Sequence, residues 1–139
     1  MENKILLDTN ILLDYLLMRE PFYENAREIV KRCVEGVYKG GVAAHSISNM
    51  FFILRKFYNL KERRDILINI CFMFDIIGID KAKLLMGLEN EDFQDFEDCL
   101  QMECAKEYGA LYIITRNIND FKNSEIPAIL PEEFLKKES

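Results

Sequence analysis

Three short stretches carry acids where an acid is costly. In "KILLDTNILLDYLL", residues 4 to 17, Asp8 closes the apolar run Ile5-Leu6-Leu7, and Asp14 follows six positions later. In "NEDFQDFEDCLQMECA", residues 90 to 105, Asp95 and Asp98 are three apart, neighbours on one face if the segment is helical. In "YIITRNINDF", residues 112 to 121, Asn117 and Asp120 follow an apolar run. A carboxylate removed from water costs several kcal/mol unless it is paired, hydrogen-bonded, protonated or bound to a metal. Two unit charges ~4 Å apart repel by roughly 4 kcal/mol near a protein surface. Three such acids in one pocket therefore need a cation or raised pKa values. Oxygen donors without thiolate or imidazole suit a hard divalent ion, Mg²⁺ or Mn²⁺. Such ions activate water and stabilise charge on a phosphodiester, the chemistry of a metal-dependent nuclease.

That chemistry requires convergence, so the elements must supply it. Short apolar runs predict strands at Ile5–Leu7, Gly41–Ala44, Asp75–Ile79, Leu111–Ile114 and Ala128–Leu130. Helical spacing predicts helices at Asn10–Met18, Tyr23–Val34, Ser46–Tyr58, Arg63–Phe74, Lys81–Leu88 and Phe93–Tyr108, with a last one after Pro131. Strands without polar alternation, separated by helices, indicate a three-layer α/β/α sandwich around a mostly parallel sheet. Ligands of such sheets bind outside the carboxyl ends of the strands. Asp8 lies at one such end and Thr115-Arg116-Asn117 at another, so Asp8, Asn117 and Asp120 share a rim if those strands are neighbours.

The remaining polar residues have plainer expectations. Glu91 and Asp92 read as helix-start acids, and Asp14 as a solvated or capping acid on the first helix. Ser46 is either a helix N-cap or a pocket hydroxyl, and Arg116 either touches phosphate or pairs with a nearby acid. His45, the single histidine, reads as a satisfied structural residue. Cys33, Cys71, Cys99 and Cys104 form no CxxC pair and read as reduced core thiols, which with one histidine argues against zinc. Met50, Phe51, Phe52, Leu54 and Phe57 suit a core or a dimer face rather than a base-stacking platform.

At 139 residues the chain suits one domain, spanning 1–139. A net charge of −6 disfavours nucleic-acid binding over the whole surface but leaves room for local basic clusters at Lys31-Arg32, Arg55-Lys56 and Lys61–Arg64. No apolar run reaches the ~20 residues of a membrane span, and the N-terminus lacks signal-peptide order, so a cytoplasmic protein is expected.

The motifs "ILLDTNILLDYL", "DFEDCLQMECA" and "YIITRNINDF", in that order along nearly the whole chain, resemble the PIN-domain family and its VapC-type toxin ribonucleases. The resemblance implies a PIN-like fold, Mg²⁺ or Mn²⁺ held by clustered acids, hydrolysis of RNA, an antitoxin partner and a homodimer. By motif position Asp8, Asp98 and Asp120 match family acids, with Asp95 adjoining and Asn117 a neutral ligand or water-binder. Thr9 would hydrogen-bond near the metal or cap the next helix. The family's second acid falls in "HSISNMFFILRK" at Asn49, whose amide supplies an oxygen but no charge. A weakly active or inactive PIN-like binding module is the alternative. A receiver-like phosphoacceptor is a third reading, with Asp80-Lys81 a poor match to its requirements.

Overall fold

The computed structural model describes residues 3–138. Its strands are β1 (Lys4–Leu7), β2 (Lys39–Ala43), β3 (Asp75–Ile77), β4 (Tyr112–Ile114) and β5 (Ala128–Ile129). The helices are α1 (Thr9–Leu16), α2 (Tyr23–Val34), α3 (Ala44–Ile53), α4 (Leu60–Met73), α5 (Lys81–Glu89), α6 (Phe96–Tyr108) and α7 (Pro131–Lys137). Short 3₁₀ turns occupy Leu54–Lys56 and Ile118–Phe121. Every strand pair is parallel, and the order across the sheet is β3-β2-β1-β4-β5. The expected α/β/α sandwich is the observed architecture. No described helix is long and apolar enough to cross a membrane.

Alternation along β1 divides the core between the two faces of the sheet. Ile5 and Leu7 join Leu12, Ile29, Met50 and Phe134 on one side. Leu6 joins Ile77, Cys99, Met102, Ala105 and Ile113 on the other. Successive strand side chains point to opposite faces, so the buried run Ile5-Leu6-Leu7 needs a helical layer on each. Full burial of each such side chain stabilises the fold by about 1.5–3 kcal/mol. Gly41 in β2 permits the close approach: a Cβ there would stand 2.7 Å from the Tyr108 ring and 2.8 Å from Ile77.

The topology reverses direction between β1 and β4, whose residues Leu7 and Ile114 are in register. The Asp8 N–H continues the ladder by donating to the Ile114 carbonyl at 3.0 Å. Asp8 and Thr115 therefore leave the sheet side by side at its switch point, where such sheets open a crevice.

Several boundaries differ from expectation for local reasons. α6 begins at Phe96 rather than Phe93, because Asp95 is its N-cap and accepts from the N–H groups of Glu97 at 2.7 Å and Asp98 at 3.2 Å. Glu91 and Asp92 thus precede the helix, and Asp95 is a cap rather than a residue on the helix face. α3 begins at Ala44, two residues early, and yields to a 3₁₀ turn at Leu54. Ser46 is consequently inside the helix and not its cap. α4 begins at Leu60, where Asn59 and Glu62 form a reciprocal capping box. Cys33, Cys99 and Cys104 are free core thiols as expected, but Cys71 is exposed.

Candidate active site

Asp8 is buried, 7% exposed, and its two carboxylate oxygens have separate partners. Oδ1 accepts from the Thr9 N–H at 2.8 Å, which makes Asp8 itself the N-cap of α1. Oδ2 accepts from the Thr115 hydroxyl at 2.8 Å. The Thr115 hydroxyl in turn accepts the Asn117 N–H at 3.0 Å, which fixes how the chain leaves β4. Burial pushes the Asp8 carboxyl above its ordinary pKa against the pull of these hydrogen bonds, and Asp120 adds to the rise.

Asp98, on the first turn of α6, is half-buried, and its pKa is pushed up to about 7. Desolvation is the largest cause, followed by Asp95, Asp8, Asp120 and Glu97, which are all acids. The three acids matched by motif therefore act on one another electrostatically across a common rim. Asp98 lines two adjoining hollows. One, of about 300 Å³, also meets Asp8, His45, Asn49, Glu97 and Gln101. The other, of about 510 Å³, meets Asp92, Asp95, Asp120 and Lys122. Asp120 is exposed on the 3₁₀ turn after β4, and Asn117 borders the first hollow.

A hydroxyl and amide network braces this rim from below. The Thr9 hydroxyl donates to Ser46 Oγ at 2.7 Å, and Gln101 Nε2 donates to the same oxygen at 2.8 Å. Ser46 is fully buried and lines neither hollow, so it is neither the helix cap nor a hydroxyl open to the pocket, but a brace beneath it. Thr9 is likewise tied to Ser46 rather than capping a helix. The bonds join α1, α3 and α6, which carry or adjoin Asp8, Asn49 and Asp98. Asn49 Nδ2 donates to Glu97 Oε2 at 3.2 Å, bringing a carboxylate to the position where the expected acid is missing.

Two expectations are corrected, and a third is narrowed. Asp14 is buried to within 1% of its side-chain surface rather than solvated. Arg116 grips it in a fork, Nε to Oδ2 at 2.7 Å and Nη2 to Oδ1 at 3.2 Å, and Arg19 adds a contact at 3.7 Å. Arg116 therefore pairs with an acid, the second of its two expected roles; its guanidinium also lies 4.0 Å from the Phe22 ring centroid. His45 is not satisfied: both ring nitrogens are buried without a hydrogen bond of ordinary geometry, although the Glu97 backbone is near enough to favour the charged ring. Burial outweighs that pull and lowers the imidazole pKa.

Sequence reasoning placed Thr115 at a strand end without giving it a role, and overlooked Gln101 and Glu97. Gln101 lies three residues beyond Asp98 on α6, so helical spacing could have marked it. Of the basic clusters, Arg32 and Lys61 are engaged in i,i+4 pairs with Glu28 and Asp65. Arg55 instead stacks 3.6 Å from the Phe52 ring centroid beside the first hollow.

The donor set fits a hard divalent cation. Asp8, Asp98 and Asp120 offer only oxygen, and burial together with repulsion from the neighbouring acids raises the Asp98 pKa, a repulsion that a shared cation would relieve. Among the described residues, no three metal-ligating side chains are drawn together to ligand spacing.

A family model described as "PIN domain" matches residues 4–119. Ribonuclease VapC1 of Aquifex aeolicus (strain VF5) is 24% identical over 140 residues, covering 96% of this chain and 94% of that protein. Among solved structures, a toxin-antitoxin complex from Klebsiella pneumoniae contains a chain with a TM-score of 0.66 and 22% identity, matching 91% of this chain and 97% of its own. VapBC2 from Rickettsia felis, solved bound to a promoter DNA fragment, contains one with a TM-score of 0.64 and 17% identity, matching 91% and 98%. At these identities the structural matches bear on the fold.

Proposed function

The chain belongs to the PIN-domain family, and on that premise we propose that it is a metal-dependent endoribonuclease, the toxin of a toxin–antitoxin pair. The observation that carries the reading is the gathering of acids at the switch point of the sheet, Asp8 and Asp98 on one hollow and Asp98 and Asp120 on the adjoining one. The similarity to a VapC ribonuclease supports RNA as the substrate, and the toxin–antitoxin complexes among the fold's relatives support an antitoxin partner.

Asp8, Asp98 and Asp120 would hold Mg²⁺ or Mn²⁺, with Asp95, Asn49 and Asn117 at the margin. Bound there, the cation would supply Lewis-acid polarisation of a phosphodiester and make water a nucleophile at neutral pH. The chain's own residues prepare the place. Thr9 N–H and the Thr115 hydroxyl hold both oxygens of Asp8 in a fixed orientation. The Thr9–Ser46–Gln101 network fixes the elements that present Asp8 and Asp98. Glu97 supplies negative charge beside Asn49, so the neutral amide does not leave that side of the rim uncharged.

Incubating labelled single-stranded RNA with the protein in Mn²⁺ and in EDTA tests the reading. Cleavage confined to Mn²⁺ and lost in Asp98→Asn is expected; intact RNA in both at high protein concentration sinks it. Asn49 and Asn117 favour a second reading, a non-catalytic binding module, which predicts no Mn²⁺ binding sensitive to Asp8→Asn. We also assign the protein to the cytoplasm and to a homodimeric state. The exposed apolar side chains Phe57, Ile68 and Phe72 on α4 and the turn before it supply a face for self-association, measurable by sedimentation.

A further inference from the structure

We propose that the hollow between α3 and the start of α6 is a nucleobase subsite, taking one base of the single-stranded RNA whose phosphate lies over Asp8 and Asp98. For the identity of that strand it rests on the ribonuclease reading. His45, Asn49, Phe52 and Ile53 recur at helical spacing and line one side of the hollow, whose volume of about 300 Å³ accommodates a base with part of its ribose. Phe52 is 61% exposed although it is large and apolar. The Arg55 guanidinium stacks 3.6 Å from its ring centroid and is anchored by an Nη1 bond to the Phe52 carbonyl at 2.8 Å. An aromatic ring joined by a guanidinium plane is how proteins hold unstacked bases.

The polar groups select a base over a phosphate. Gln101 is only 3% exposed; its Nε2 donates to Ser46, while its Oε1 has no partner. That oxygen accepts hydrogen bonds and offers nothing to a phosphate, which also only accepts. Burial lowers the His45 pKa and so favours the neutral ring, which has one donor and one acceptor and only the Glu97 backbone within reach. Native structures leave few buried polar groups unpaired, so the Gln101 acceptor and an imidazole served at most by one backbone group, both in residues lining one hollow, suit a ligand with both donors and acceptors. A base edge has both. The neighbouring hollow around Asp92, Asp95 and Asp120 has no aromatic lining. Asp98 borders both, so the base lies in one and the backbone continues towards the other.

Titrating the ¹⁵N-labelled protein with adenosine, cytidine, guanosine and uridine, and separately with ribose 5-phosphate, tests this without cleavage or metal. At least one nucleoside should shift the resonances of His45, Asn49, Phe52 and the Gln101 side-chain amide, while ribose 5-phosphate leaves them in place. Phe52→Ala should weaken that nucleoside about tenfold, within the range for one stacked base. Its ring is largely exposed, so the variant is expected to fold, and His45→Ala provides a second loss of affinity. Failure of every nucleoside to shift these resonances, or equal shifts by ribose 5-phosphate, overturns the subsite. RNA cleavage without nucleoside binding would leave the nuclease reading standing and remove this one; nucleoside binding without cleavage would do the reverse.

Discussion

Asp14 and Asp98 are both acids that folding draws away from water, and they have opposite surroundings. Asp14 is the more deeply buried, and it meets two arginines, one of them in a bidentate fork. Asp98 is half-buried, and the charges that act on it are other acids. A buried acid with its cation supplied by the chain is a structural joint, here tying α1 to the segment after β4. A cluster of acids without one stores repulsion, which a ligand from outside can relieve. Burial alone therefore does not separate the two acids; the sign of their neighbours does.

The largest effect that could break this contrast is on stability. Asp14→Ala leaves the Arg116 guanidinium, 24% exposed, without its carboxylate. Removing one member of a buried pair costs about 3–5 kcal/mol, so urea unfolding should shift to markedly lower concentration. Asp98→Asn should do the opposite, leaving stability unchanged or raised, because it removes a like charge from the cluster. Equal destabilisation by both would erase the distinction.

On activity the order reverses. Asp98→Asn should lower RNA cleavage at least as much as the ~10–100-fold that loss of an outer-shell partner costs a metal site. A single-turnover assay on the folded variant checks it.

A smaller effect should appear in pH dependence without metal. The Asp98 pKa is raised from 3.8 to about 7, so between those values the folded protein holds a proton that the unfolded chain has released. The stability contribution of this group is then fully present below pH 3.8 and is lost as pH rises through about 7. Denaturant midpoints measured across that window should fall less steeply in Asp98→Asn than in the parent.

The smallest change expected is from Asn49→Glu. It exchanges the hydrogen bond to Glu97 for a like charge beside it, and so should cost under ~1 kcal/mol without metal. It should tighten Mn²⁺ binding, measured by the same titration as for the parent.

Much of this was legible in the residues. The apolar run before Asp8 and the run before Thr115 read as buried strands, and the sheet supplies the adjacency on which a rim shared by Asp8 and Asp120 was conditional. The position of Asp98 near the start of a helix was legible too. Asp95 was misplaced because spacing cannot tell a cap from the first helical turn when several acids compete for the role. Asp14 was misread for a different reason. Its partner Arg116 is 102 residues away, and such pairing depends on β4 lying beside β1, which local periodicity does not report. The Gln101–Ser46–Thr9 network was invisible for the same reason, since it joins three elements distant in the chain.

Calorimetric titration with Mn²⁺ at pH values on both sides of 7, on the parent and on Asp98→Asn, tests the central claim most directly. The acid cluster predicts saturable binding by the parent that strengthens as pH rises through about 7 with release of a proton, and little binding by the variant. Binding that is equal in both proteins, or absent from the parent throughout, would contradict it.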